Sequence, residues 1–196
     1  MYSQWLKIIS LTLSIPFLFL LKDSFAYPID TSKLGFNGIG CPMGSDLKVI
    51  YNSTLNTLEF EPVMMAVTTN SEKVLERSNC GLSLPLVAVK KKRLIIKQIV
   101  LNGELSLNDK ENSTISFDPF MVGMANPRPS YRQVFNGLQD GSFHIAKSIN
   151  YKGPCGKSTN LRLNFSATNR GDGNSEGSFT KMSKVLLYLA EEKCKK

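Results

Sequence analysis

The sequence predicts an all-β domain, an antiparallel β-sandwich of about nine strands held by two disulfides. Three observations carry that expectation. Apolar residues recur at every second position in one segment after another, which is the period of a strand with one buried face. Gly, Asn, Asp and Pro interrupt these segments roughly every 8 to 15 residues, and sustained helical periodicity is scarce. The even set of four cysteines follows an export segment, so the thiols meet an oxidising compartment.

The export segment comes first. Lys7 closes a short start without acids, and Ile8 to Leu21 is almost wholly apolar. Ser24-Phe25-Ala26 places small residues where a signal peptidase reads them, so residues 1–26 read as a cleaved signal peptide and 27–196 as a single secreted domain. The apolar run is 14 residues, broken by Pro16, against the roughly 20 that a spanning helix needs. No second long apolar run follows, so no transmembrane segment is expected after cleavage. The location expected is secreted or extracellular, a periplasm included.

Strands are then expected in order. Lys33 to Ile39 leads into the turn at Gly40-Cys41-Pro42-Met43-Gly44, and Leu47 to Tyr51 places Leu47, Val49 and Tyr51 on one face. Thr57 to Phe60 alternates and continues through Met64, Met65 and Val67. Cys80 to Val89 aligns Cys80, Leu82, Leu84, Leu86 and Ala88 before the cations at Lys90 to Arg93 end it. Arg93 to Leu101 and Glu104 to Leu107 flank Asn102-Gly103, the sequence of a type I′ hairpin turn, which would set Val100 opposite Leu105 and Gln98 opposite Leu107. Ala125 to Arg132, with Pro127 and Pro129, reads as a connection. Asn136-Gly137 and Asp140-Gly141 mark turns before a strand at Ser142 to Ile149. Leu161 to Ala167 sets Leu161, Leu163 and Phe165 against Arg162, Asn164 and Ser166. The last strand runs through Phe179 and Met182 to Leu186, Tyr188 and Ala190, although Val185 to Cys194 fits a short helix equally well.

Of 196 residues, 170 remain after cleavage, enough for one domain with its own core. The whole chain carries +8, and losing Lys7, Lys22 and Asp23 leaves +7. A basic exported protein is biased towards anionic partners, here an anionic polysaccharide or another cell-surface component, with no signal for specific nucleic acid. Cys41, Cys80, Cys155 and Cys194 permit three pairings. Cys41–Cys80 and Cys155–Cys194 is the favoured one, each bridge closing one half of the chain and stabilising it by about 4 kcal/mol in the chain-entropy model. No two cysteines lie close enough for a zinc ribbon or a redox pair.

Little else carries chemistry, and no cofactor is expected. The single histidine, His144, shares a strand face with Ser142 but has no nucleophile turn near it. Glu59, Glu61, Asp118 and Asp140 are the acids available for a carboxylate pair. Lys90, Lys91, Lys92 and Arg93, extended by Lys97, form the densest run of charge and the anion-binding candidate; the same run suits a solvated turn that discourages edge pairing. Asp172, Asn174 and Glu176 imitate the first half of a calcium loop, but Ser183 stands where its closing glutamate belongs. Arg170-Gly171-Asp172 is also an adhesion tripeptide. Asn52, Asn112 and Asn164 head glycosylation sequons, used only if the host's secretory route glycosylates. The expected role is therefore a binding or interaction module, with a secreted hydrolase or an inhibitor of one as the alternative.

Gly38-Ile39-Gly40-Cys41-Pro42-Met43-Gly44, Ser78-Asn79-Cys80 with Leu82, Leu84 and Leu86, Pro154-Cys155-Gly156 with Leu161-Arg162-Leu163, and the closing Cys194 together resemble domain-of-unknown-function family 4360. These are small secreted proteins with four cysteines. The resemblance spans Leu34 to Cys194 and implies export and an all-β build; it implies no activity.

Overall fold

The computed structural model describes residues 29–62, 65–124, 129–173 and 177–194. The export segment, Met64, Pro127, Asn174 and Glu176 lie outside those residues. Eleven strands are described, after one 3-10 turn at Thr31–Lys33: β1 (Gly35–Asn37), β2 (Lys48–Asn52), β3 (Thr57–Glu61), β4 (Ala66–Thr69), β5 (Leu75–Leu86), β6 (Lys92–Leu107), β7 (Asn112–Met121), β8 (Tyr131–Asn136), β9 (Gln139–Lys152), β10 (Thr159–Arg170) and β11 (Ser178–Lys193). They form a five-stranded sheet in the order β1-β5-β10-β7-β8 and a six-stranded one in which β2-β3-β11-β6-β9 are neighbours and β4 also pairs with β11. Every pairing is antiparallel. Among the described residues, no helix is long and apolar enough to cross a membrane.

The two sheets bury their facing side chains against each other. Leu82, Leu84, Ile115, Phe117, Leu161, Leu163 and Phe165 from one sheet meet Leu58, Phe60, Ile99, Leu101, Val185 and Leu187 from the other. Phe60 and Phe165 stand 6.2 Å apart across the layer, and Phe117, the cross-strand neighbour of Phe165 in the same sheet, lies 5.0 Å from it. Pro119 is tolerated within β7 because β8 pairs no further than Phe117, so the missing N–H falls on a free edge.

Both expected disulfides are present, Cys41–Cys80 and Cys155–Cys194, with Cα separations of 5.3 and 6.1 Å. The expected turn at Asn136-Gly137 joins β8 to β9, with Gly137 at a φ of 71°. The strand count is eleven rather than nine because β7, β8 and a β4 separate from β3 add three, while the two strands expected at Arg93 to Leu101 and Glu104 to Leu107 are one strand, β6.

Asn102-Gly103 is not a turn: β6 runs unbroken through it, pairing Asn102 with His144 and Gly103 with Phe143. Val100 therefore faces Leu186 and Ala146, not Leu105. Gly103 serves close packing instead, since a Cβ there would stand 2.1 Å from the Lys181 carbonyl oxygen and 2.3 Å from the Phe143 ring. Asp140-Gly141 likewise lies inside β9 rather than at a turn. Residues 185–193 are strand and not helix. The buried face of β11 switches at the register shift between Met182 and Lys184: Met182 is buried before it, and Val185, Leu187 and Leu189 after it. One additional residue in a period-two pattern turns Leu186 and Tyr188 outward, the reverse of uninterrupted alternation.

Candidate functional site

The outer face of the five-stranded sheet carries a groove built from outward residues of β5, β10, β7 and β8. Cross-strand rows set its floor: Thr168 pairs with Arg77 on one side and Thr114 on the other, and Ser166 with Asn79 and Ser116. Ser116 Oγ and Ser166 Oγ are 2.6 Å apart. These short hydroxyl side chains keep the floor low between longer neighbours. Arg77 rises from β5, Arg170 from the end of β10 and Arg132 from β8, where it pairs with Ser116. Arg77 and Arg132 sit three strands apart, about 14 Å at strand spacing. The depression they enclose is about 310 Å³, lined also by Asn112 and Thr114.

A second depression of about 270 Å³ continues the groove along the strands and shares Arg77, Ser116 and Ser166 with the first. Asn37, Asn79, Gly81, Asp118 and Asn164 line it, with the Cys80 disulfide half beneath.

The guanidiniums are the groove's chemical signature. Among the described residues, Arg77, Arg132 and Arg170 make no ion pair. Arg132 Nη2 donates a weak 3.5 Å hydrogen bond to Thr114 Oγ1. Three planar cations with spare donors above a hydroxyl floor can take carboxylate or sulfate groups by paired hydrogen bonds.

The expected basic run lies elsewhere. Lys90 and Lys91 form the exposed turn between β5 and β6, beside the Cys155–Cys194 bridge, where Cys194 N donates to the Lys91 carbonyl oxygen at 2.9 Å. Lys92 pairs with Glu191 at 2.7 Å and Arg93 with Glu192 at 3.3 Å, so part of its charge is answered within the fold. A hydrogen bond from Lys152 holds the Glu192 carboxyl below the usual glutamate range against the opposing effect of partial burial, and the charges of Lys152, Arg93 and Lys97 add to the lowering. Lys97 is exposed on β6.

His144 is on the six-stranded sheet, its Nδ1 2.7 Å from Asn102 Oδ1. Glu59 and Glu61 flank Lys184, Asp140 lies beside Phe179, and only Asp118 of the four acids reaches the groove. Asp172 follows the end of β10; its expected calcium partners fall outside the described residues. Asn52 Oδ1 accepts the N–H groups of Thr54 and Leu55 and so closes its own turn, whereas Asn112 and Asn164 both line the groove.

Arg77 and Arg132 carry no signal as individual residues, and Arg170 stands out in the sequence only as the start of Arg170-Gly171-Asp172. Their juxtaposition needs the strand order, although the strict alternation of Thr114, Ser116 and Asp118 with Ile115, Phe117 and Pro119 was available to mark β7.

Several solved structures align with most of this chain. One is TmCBM61 in complex with β-1,4-galactotriose, at 11% identity and a TM-score of 0.32, covering 83% of this chain and 91% of that one. A CBM4 structure aligns at 11% identity and TM-score 0.24, covering 87% and 96%. The family 11 carbohydrate-binding module from Clostridium thermocellum, with a β-1,3-1,4-mixed-linked tetrasaccharide, aligns at 11% identity and TM-score 0.22, covering 79% and 87%. Scores this low carry no argument about fold or ligand. None of the curated proteins matches the sequence. Residues 28–191 match the family described as domain of unknown function (DUF4360), and the chain belongs to that family.

Proposed function

We propose that the protein is a secreted binding module that seats an anionic polysaccharide in the arginine groove of its five-stranded sheet. One observation carries the reading: Arg77, Arg132 and Arg170 surround a floor of Thr114, Ser116, Ser166 and Thr168 with no acid paired to any of them among the described residues. A hydroxyl floor hydrogen-bonds sugar rings, and unpaired guanidiniums hold their charged groups. A glycosidase would need a second carboxylate facing Asp118, and no other acid is among the described residues lining the groove. The exposed Lys90–Lys91 turn and Lys97 supply long-range attraction, while the groove supplies the fit.

Calorimetry with hyaluronan and polygalacturonate fragments tests this. Binding that weakens with salt is expected, and Arg77→Ala with Arg170→Ala should weaken it about tenfold or more, as loss of charge-assisted hydrogen bonds does. Lys90→Ala with Lys91→Ala should change affinity only about two- to threefold, mainly through the association rate. No binding by the wild-type protein, or equal losses from both double variants, would overturn the assignment to the groove.

A further inference from the structure

We infer that the groove selects a glycan whose anionic units are separated by uncharged ones, and that Gly81 and Asp118 make that selection; this rests on the anionic-polysaccharide reading above.

The charge of the groove alternates along the strands. At one end stand Arg77, Arg132 and Arg170. Further along β10, Asn164 shares a row with Gly81 on β5 and Asp118 on β7, and Asn37 on β1 extends the same row. With Asn79 these residues supply amides and one carboxylate around the second depression. Two residues on, Arg162 pairs with Phe120 and lies 5.9 Å from the centre of its ring, so cationic charge returns. From Arg170 to Arg162 the order positive, negative-to-neutral, positive spans about 26 Å of strand.

An acidic sugar unit at Asp118 would place like charges together in a recess with reduced solvent, which is unfavourable. The hydroxyls of an uncharged unit instead donate to Asp118 and accept from the side-chain amides.

The recess exists because residue 81 has no side chain, and the backbone does not demand that. Gly81 is not among the glycines with positive φ. A Cβ there would lie 3.5 Å from both Asn164 Oδ1 and the Asn37 carbonyl oxygen, ordinary contact distances. A glycine that neither conformation nor close packing requires, at the lining of a depression, is a space kept open. A larger side chain would occupy the place of the uncharged unit.

The test compares two tetrasaccharides of equal length by calorimetry: one alternating glucuronate with N-acetylglucosamine, the other all galacturonate. The wild-type protein should bind the alternating one about tenfold tighter. Gly81→Val should remove that advantage, weakening the alternating ligand about tenfold and leaving the all-acid ligand within about twofold. Asp118→Asn, which keeps shape and removes charge, should strengthen the all-acid ligand alone, and it stands independently should Gly81→Val fail to fold. Equal wild-type affinities, or a ratio unmoved by both variants, overturn the selection while the anionic reading survives through the Arg77 and Arg170 losses. Failure of both ligands to bind overturns the reading on which it rests.

Discussion

A methyl group added at Gly103 would stand 2.1 Å from the Lys181 carbonyl oxygen, whereas one added at Gly81 would meet nothing nearer than 3.5 Å. The two glycines look alike in the sequence and do opposite things. Gly103→Ala forces β6 away from β11 and should cost about 1–3 kcal/mol or more as overpacking; Gly81→Ala should cost under about 1 kcal/mol. Urea unfolding of both variants measures the difference, and comparable losses would refute it. Charge is similarly local. Glu192 is half-exposed, and the hydrogen bond from Lys152, aided by the charges of Lys152, Arg93 and Lys97, lowers its pKa. A lowered carboxylate favours the folded state above its unfolded pKa, and that contribution disappears as pH falls through the folded value. A carboxyl-detected NMR titration should place Glu192 below an ordinary glutamate, and Lys152→Ala should move it upward; an unmoved titration would show that Lys152 is not the cause.

Within single strands, alternation was readable wherever nothing interrupted it, as in Leu161, Leu163 and Phe165 of β10. It misled wherever a bulge did. β11 changes face between Met182 and Lys184, so a reading by strict alternation buries Leu186 and Tyr188, which the fold turns outward. The consequence is measurable: Leu187→Ala should cost about 2–5 kcal/mol by leaving a cavity, and Leu186→Ala about 1 kcal/mol or less. The reverse order in chemical denaturation would mean that the bulge is misplaced. Asn102-Gly103 misled for another reason. Its turn propensity is a local preference, and the pairing of β6 with both β9 and β11 along its length outweighs it. The groove escaped the sequence reading because its cations stand on β5, β8 and β10, and only the order β5-β10-β7-β8 brings them to one face.

Across the fold, the two disulfides stand in different relations to that face. Cys80 is buried in β5 beneath the second depression, and its bridge to Cys41 fixes the loop that follows β1, the strand carrying Asn37. Cys155–Cys194 ties the loop after β9 to the end of β11, beside the Lys90–Lys91 turn and belonging to the six-stranded sheet. Both close 39-residue separations, so chain entropy alone treats them alike, and removing either by paired Cys→Ser substitution should cost about 2–5 kcal/mol. Binding should separate them. Loss of Cys155–Cys194 lowers thermal stability but leaves β5, β10, β7 and β8 in place, so glycan affinity of the folded protein should stay within about twofold. Loss of Cys41–Cys80 frees β1 and loosens β5 under Gly81, and should weaken affinity for the alternating tetrasaccharide severalfold while sparing contacts to the arginine end. Melting curves and calorimetry on both pairs, below their transitions, decide the matter. Equal effects on affinity would mean that the sandwich responds as one body and that the seat is not confined to the five-stranded sheet.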